Sequence, residues 1–163
     1  MSRSLRRVED ALRDAGVEVR LLELGDCRTA ADAARSCGCA LDQIAKSIIF
    51  RGEASGHCRL FLTAGGNRVD TAKATELAGE ALGKADAALI RAETGFAIGG
   101  VAPVGHLKPV TAWWDPRLSD FDVIWAAAGT PRHVVAIAPE TLLRITGAQL
   151  ADFTAAMGAA PVA

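Results

Sequence analysis

The run Thr94-Gly-Phe-Ala-Ile-Gly-Gly-Val-Ala-Pro-Val-Gly-His106 places glycines at 95, 99, 100 and 105 and a proline at 103, with apolar residues in most of the gaps. Glycine permits positive φ and lets a ligand approach the main chain closely, while proline fixes its own φ and restricts the residue before it. Such a loop can aim backbone N–H groups at a bound group. It can equally be a buried crossover with no ligand at all. The spacing is not G-x-G-x-x-G, and no G-x-x-x-x-G-K-[ST] follows, so the usual phosphate fingerprints are absent.

Lys46 is the second residue with chemical potential. It is one of four lysines, with 73, 84 and 108, and stands at the mouth of the apolar run Ser47-Ile-Ile-Phe50. An ammonium there either snorkels to solvent or sits at a pocket rim, where it can hold a phosphate or polarise a carbonyl. His133 either simply begins a strand beside Arg132 or gives polar assistance to a reaction. His57 and His106 read as surface or loop residues, and three scattered histidines make no metal pattern. Cysteines at 27, 37, 39 and 58 lack paired C-x-x-C spacing and read as free thiols in a reducing cytoplasm. No Ser-His-Asp order or Cys-His pair stands out, which argues against a covalent acyl-enzyme. Asp115, Asp120 and Asp122 read as turn caps. In Trp113-Trp114, alternation sends one ring to the core and the other outward, where it packs, makes a contact or stacks on a base.

The elements that must position these residues follow from periodicity and breakers. Ser4 to Ala15 reads as an amphipathic helix stopped by Gly16, with Arg3, Arg6, Arg7 and Arg13 on a solvated face or against an RNA backbone. Val17–Leu24 reads as a strand, and Thr29 caps a helix over Ala30–Ser36 that Gly38 ends. Strands at Lys46–Arg51 and Cys58–Thr63 form a hairpin across the Gly52–Gly56 turn. Asp70 or Thr71 caps a helix over Ala72–Leu82, with Gly83 past its end, and Asp86 caps a shorter one closed by Gly95. Strands follow at Pro109–Trp114, Asp122–Ala127 and His133–Ala138. Pro139 begins a helix across Glu140–Ile145, and Ala148–Ala156 reads as a last one. Short strands in hairpins and as singles between helices predict a mixed α+β sheet.

The 163 residues, 50% hydrophobic and 23% charged, fit one domain with a sizeable core. A net charge of −1 excludes a global basic field, so any RNA contact must be local, weak or shared with a partner. No run has the length of a membrane span, and no signal-peptide core follows Met1. The small-residue tail after Met157 is expected to fray.

Several segments together resemble the YbaK/prolyl-tRNA synthetase editing-domain family. They are Ala45-Lys46-Ser47-Ile-Ile-Phe50, Asp70-Thr-Ala-Lys73, Thr94-Gly95-Phe96-Ala-Ile-Gly99-Gly100-Val-Ala-Pro103-Val-Gly105 and Ile124-Trp-Ala-Ala-Ala-Gly129. Their order and spacing agree over roughly residues 15–150. The resemblance implies a single compact α+β domain with a central mixed, partly closed sheet flanked by helices. It also implies a pocket between the Lys46 strand and the Gly99–Pro103 loop. Free-standing members hydrolyse the ester joining a wrong amino acid to the tRNA 3′ adenosine. On that basis the catalytic candidates are Lys46, Gly99, Gly100 and His133, and the substrate-binding candidates are Ile98, Val101, Ala102, Pro103 and Gly105. Prolyl-type and alanine-specific members carry a histidine near the position of His133. Cysteine-specific members lack it and have a serine near Ala127.

The chain therefore leans towards alanine or 2-aminobutyrate on tRNA(Pro), with Cys-tRNA(Pro) as the alternative. The partners implied are mischarged aminoacyl-tRNA and a prolyl-tRNA synthetase, in the cytoplasm, with no cofactor, metal, membrane or DNA. Two other functions stay open: a non-catalytic module that binds tRNA or synthetase, and a hydrolase of another small acyl ester or nucleotide.

Overall fold

The computed structural model describes residues 2–25 and 27–155. Its first four α-helices begin where short polar side chains cap free N–H groups. Helix α1 (Arg3–Asp14) starts at Ser2, whose hydroxyl accepts from the Leu5 N–H, and it buries Leu5, Val8 and Leu12 along one face. Helix α2 (Ala30–Cys37) is capped by Thr29 and ends at Gly38 with φ +68°. Asp70 caps α3 (Thr71–Ala78), Asp86 caps α4 (Ala87–Thr94), and Pro139 occupies the first turn of α5 (Pro139–Thr146).

The described residues also form ten strands: β1 (Leu21–Glu23), β2 (Ile44–Gly52), β3 (Cys58–Ala64), β4 (Arg68–Val69), β5 (Leu82–Lys84), β6 (Thr111–Trp114), β7 (Ile124–Ala127), β8 (His133–Ile137), β9 (Gln149–Leu150) and β10 (Thr154–Ala155). Eight of them form one mixed sheet in the order β1-β8-β7-β2-β3-β6-β9, with β5 also on β2, while β10 and β4 pair separately. The ladder path runs from β1 to β9 without returning on itself.

Two expectations are corrected. The helix from Ala72 stops at Ala78, because Gly79 takes the left-handed position at φ +72°, and Leu82–Lys84 then adds to β2 as a strand. The stretch from Ala148 to Ala155 is not helical. Gln149 and Leu150 instead pair with Trp113 and Trp114, and Thr154–Ala155 pairs with Arg68–Val69. Long-range pairing overrides the helix propensity of this alanine-containing segment. Ala156 and the tail after Met157 lie outside the described residues.

The sheet is covered on both faces. One core cluster joins Leu5, Leu12, Leu60, Leu62, Phe96 and Trp114, and the other packs Phe61, Trp113 and Phe153. Trp113 and Trp114 do alternate across β6, but both are buried, at 4% and 0% exposure. Trp113 stacks on Phe61 with ring centroids 4.8 Å apart, so neither ring is available to a nucleobase.

Candidate active-site cleft

Strand β2 has unequal neighbours, and that inequality makes the site. On one edge it pairs with β3 continuously from Ala45 to Arg51. On the other, Ile44 and Ala45 pair with Trp125 and Ala126 of β7, while Phe50 to Gly52 pair with β5. Between these ladders, from Lys46 to Ile49, that edge has no strand partner among the described residues. The sheet opens there into a cleft of about 200 Å³, below the roughly 300–1,000 Å³ typical of pockets that enclose drug-sized ligands. Lys46 and Ser47 form its β2 wall, Trp125 and Ala127 line it from β7, and α2 contributes Ala30 and Ala33. Gly99, Val101, Thr130 and His133 line it as well.

Lys46 is half-buried and its Nζ donates to the Asn67 carbonyl at 2.6 Å. Burial pushes its pKa down and the Arg68 charge adds to that, against Asp115 and Asp42, which favour the cation. The Asn67 turn is held in its own right. Asp115, 2% exposed, accepts from the Ala64 N–H at 3.0 Å and from Asn67 Nδ2 at 2.9 Å, and its other oxygen accepts from the Arg117 N–H. Lys46 is therefore docked on a fixed carbonyl, with ammonium hydrogens left for a ligand.

The glycine loop begins as a tight turn in which the Gly100 N–H donates to the Ala97 carbonyl at 3.1 Å. Gly99 sits third in that turn at φ +91°, the type II arrangement that favours glycine. A Cβ on Gly100 would lie 2.8 Å from the Thr130 backbone, so the loop and the 129–132 turn fit only with glycine there. The Gly100 N–H is thus engaged. Among the described residues, no acceptor takes the N–H of Gly99, Val101 or Ala102.

His133 begins β8 with Nδ1 2.7 Å from the Thr130 hydroxyl, which itself accepts from the Arg132 N–H at 3.1 Å. If the hydroxyl donates to Nδ1, the ring carries its hydrogen on Nε2. In the opposite tautomer Nδ1–H donates and Nε2 offers a lone pair. Nε2 lies 4.0 Å from a carboxylate oxygen of the exposed Glu23.

Of the residues singled out from sequence, Lys46, Gly99, Val101 and His133 meet around the cleft. Five others do not line it, among them Gly100, which packs on the Thr130 backbone with its N–H on the Ala97 carbonyl. Ile98 is 56% exposed at the turn tip and Ala102 is fully buried in the core. Pro103 and Gly105 face a separate hollow between α1 and α5. Thr130, Trp125, Ser47 and the α2 alanines went unread, because only strand pairing and the 129–132 turn bring them to the site. Thr130 alone had a local signal, a hydroxyl three residues before a histidine. Cys37 and Cys58 are poor nucleophiles, since burial first of all pushes each thiol up to about 11. Among the described residues, no cluster of His, Cys, Asp or Glu is placed to hold a metal, and no helix is long and apolar enough to cross a membrane.

The single compact α+β domain with a mixed central sheet flanked by helices is the fold implied by the editing-domain resemblance. Residues 25–145 match the aminoacyl-tRNA editing domain, and the chain belongs to that family. Over 114 residues it is 30% identical to the uncharacterized protein YwhH of Bacillus subtilis, covering 70% of this chain and 72% of that one. It superposes with a TM-score of 0.88 on the crystal structure of "a putative trans-editing enzyme for prolyl tRNA synthetase", at 45% identity and covering 96% of this chain and 99% of the other. The hypothetical protein APE2540 matches with a TM-score of 0.82 at 28% identity, over 91% and 99% of the two chains.

Proposed function

We propose that this protein is a trans-acting editor that hydrolyses the ester of a mischarged tRNA, releasing alanine or 2-aminobutyrate from tRNA(Pro). The observation that carries the reading is the assembly around one small cleft of the Lys46 ammonium and the unengaged N–H groups of Gly99 and Val101. An aminoacyl ester is already activated, so no strong nucleophile is required. The site must hold the ester, place a water and stabilise the oxyanion. The Gly99 and Val101 N–H groups receive the carbonyl oxygen as it gains charge, and Lys46 anchors the terminal phosphate or ribose. Water adds to the acyl carbon, the bond to the ribose oxygen breaks, and that oxygen takes a proton. His133 assists through Nε2, or a ribose hydroxyl of the tRNA serves in its place.

The cleft volume favours a small side chain. A synthetase distinguishes one methylene by only about 1–3 kcal/mol, so a second, narrower pocket completes the sieve. Likeness to a structure described as a trans-editing enzyme for prolyl tRNA synthetase supports proline tRNA as carrier, prolyl-tRNA synthetase as partner and the cytoplasm as the place of action.

The test is deacylation of Ala-, 2-aminobutyryl-, Ser-, Cys- and Pro-tRNA(Pro), with cognate Ala- and Cys-tRNA, by wild type and Lys46→Ala side by side. The expected result is rapid loss of the Ala or 2-aminobutyryl ester, abolished by the substitution. Preferential loss of Cys-tRNA(Pro) would replace the amino acid. Binding of tRNA without loss of any ester would make the protein a binding module.

A further inference from the structure

His106 lies outside the cleft, in the hollow behind the glycine loop, and has no place in the chemistry above. Its Nε2 is 2.7 Å from the Ala102 carbonyl oxygen. A carbonyl only accepts, so Nε2 carries the hydrogen and the tautomer is fixed. Burial pushes the imidazole pKa down, which keeps the ring neutral at pH 7. Phe96, fully buried, meets the ring edge to face at 6.2 Å. Gly105, at φ +80°, turns the chain back so that residue 106 reaches residue 102.

Ala102 precedes a proline, so the peptide it shares with Pro103 has no N–H and the residue itself is held to extended conformations. Among the described residues, His106 is the sole donor to that buried carbonyl. The chain lining the cleft is thereby pinned at two points. One is the Gly100 N–H to Ala97 carbonyl turn, and the other is the Ala102 carbonyl on His106. Val101 stands between them. With only two soft dihedrals per residue, fixing both flanks fixes where the Val101 N–H points.

We infer that His106 is a positioning residue for ester hydrolysis, holding the loop so that its free N–H groups stay aimed at the reacting carbonyl. The inference rests on the deacylase reading above. Glutamine carries its amide nitrogen about as far from the backbone as Nε2, whereas asparagine falls short. His106→Gln is expected to keep kcat within about threefold. His106→Asn and His106→Ala lose kcat by about ten- to a hundredfold with KM unchanged, as expected when reacting groups are misplaced by an ångström or less.

Single-turnover deacylation measures this, with thermal unfolding of each variant alongside. Asparagine and alanine variants that lose only thermal stability, or only KM, would overturn the inference. A second readout does not depend on activity. Nitrogen-15 NMR of the histidine rings should show one neutral ring protonated at Nε2 that is absent from His106→Gln. A His106 ring protonated at Nδ1 would also overturn it. A wild type inert on every ester removes the deacylase reading and this inference with it, whereas an active wild type with an unaffected His106→Asn removes this inference alone.

Discussion

At Gly100 the constraint is space, and at Gly99 it is backbone conformation. A methyl on residue 100 would meet the Cα and carbonyl carbon of Thr130 at 2.8 Å, and backbone cannot swing aside as a side chain would. Gly100→Ala is expected to destabilise by about 1–3 kcal/mol, as overpacking does, and to lower kcat/KM by moving the turn that carries His133. At Gly99 the nearest atom to an added Cβ is 4.0 Å away, so the cost there comes from φ +91° and is about 1–2 kcal/mol. Urea unfolding of the two alanine variants checks the sizes. A D-alanine at 99, introduced by ligation, should restore stability, since only the L form is strained. Thr130→Val keeps the shape and removes the hydroxyl that His133 Nδ1 and the Arg132 N–H share. If His133 assists the reaction, kcat falls for valine and returns for serine. Equal rates for all three would take His133 out of the chemistry.

The β2–β3 hairpin carries Lys46 and is locked from outside by one carboxylate. Glu80 accepts from the Ser55 N–H at 2.9 Å, the Ala54 N–H at 3.1 Å and the Ser55 hydroxyl at 3.0 Å, and it pairs with Arg59 at 2.9 Å. The Ser55 backbone bond leads in holding its pKa down at about 2, against an ordinary 4.5. A depressed carboxylate contributes fully above its unfolded pKa and loses that contribution as pH falls towards its folded one. Stability should therefore decline between pH 4.5 and about 2, and Glu80→Gln should flatten part of that slope in acid unfolding curves. Glu93 acts in the same direction: burial raises its pKa, but the bonds from His57 and the Cys58 N–H outweigh it. Only part of the slope belongs to Glu80. Elements of this kind mark what was legible in the sequence. The caps at Thr29, Asp70 and Asp86, the strands of the hairpin and the glycine loop were all signalled within a few residues. The early stop at Gly79, the strands β5, β9 and β10, and the split beside Lys46 were not, because each is decided by a partner far along the chain. The same holds for the site. Lys46 and Gly99 announced themselves by residue type and spacing, whereas Thr130 and His106 acquire a role only through the turns that bring their side chains back.

The molecule as a whole carries a net charge of −1, so attraction to a polyanion must come from how its charges are placed. Among the described residues, the cleft is lined by the basic side chains Lys46, Arg28 and His133 and by no carboxylate. The arginines of α1 make a less coherent face than the sequence allowed. Arg7 lies over the Phe96 ring at 5.3 Å and Arg13 pairs with Glu9 at 3.1 Å, while Arg3 and Arg6 are exposed. A tRNA acceptor end that docks only at the cleft would meet, among the described residues, two basic side chains that neutralise phosphates, Arg28 and Lys46. For single-stranded nucleic acid the salt dependence is about −0.7 per phosphate neutralised, so log K against log salt should fall with a slope of about −1.4. Arg28→Ala should reduce that slope by about 0.7 and weaken every tRNA alike, because a phosphate contact carries no sequence information. Fluorescence titration of a labelled tRNA across a salt series measures both. A slope steeper than about −4 would mean that about six or more phosphates are neutralised. The arginines of α1 would then have to share the acceptor stem with the cleft, and Arg3→Ala together with Arg6→Ala, rather than Arg28→Ala, would account for most of the change.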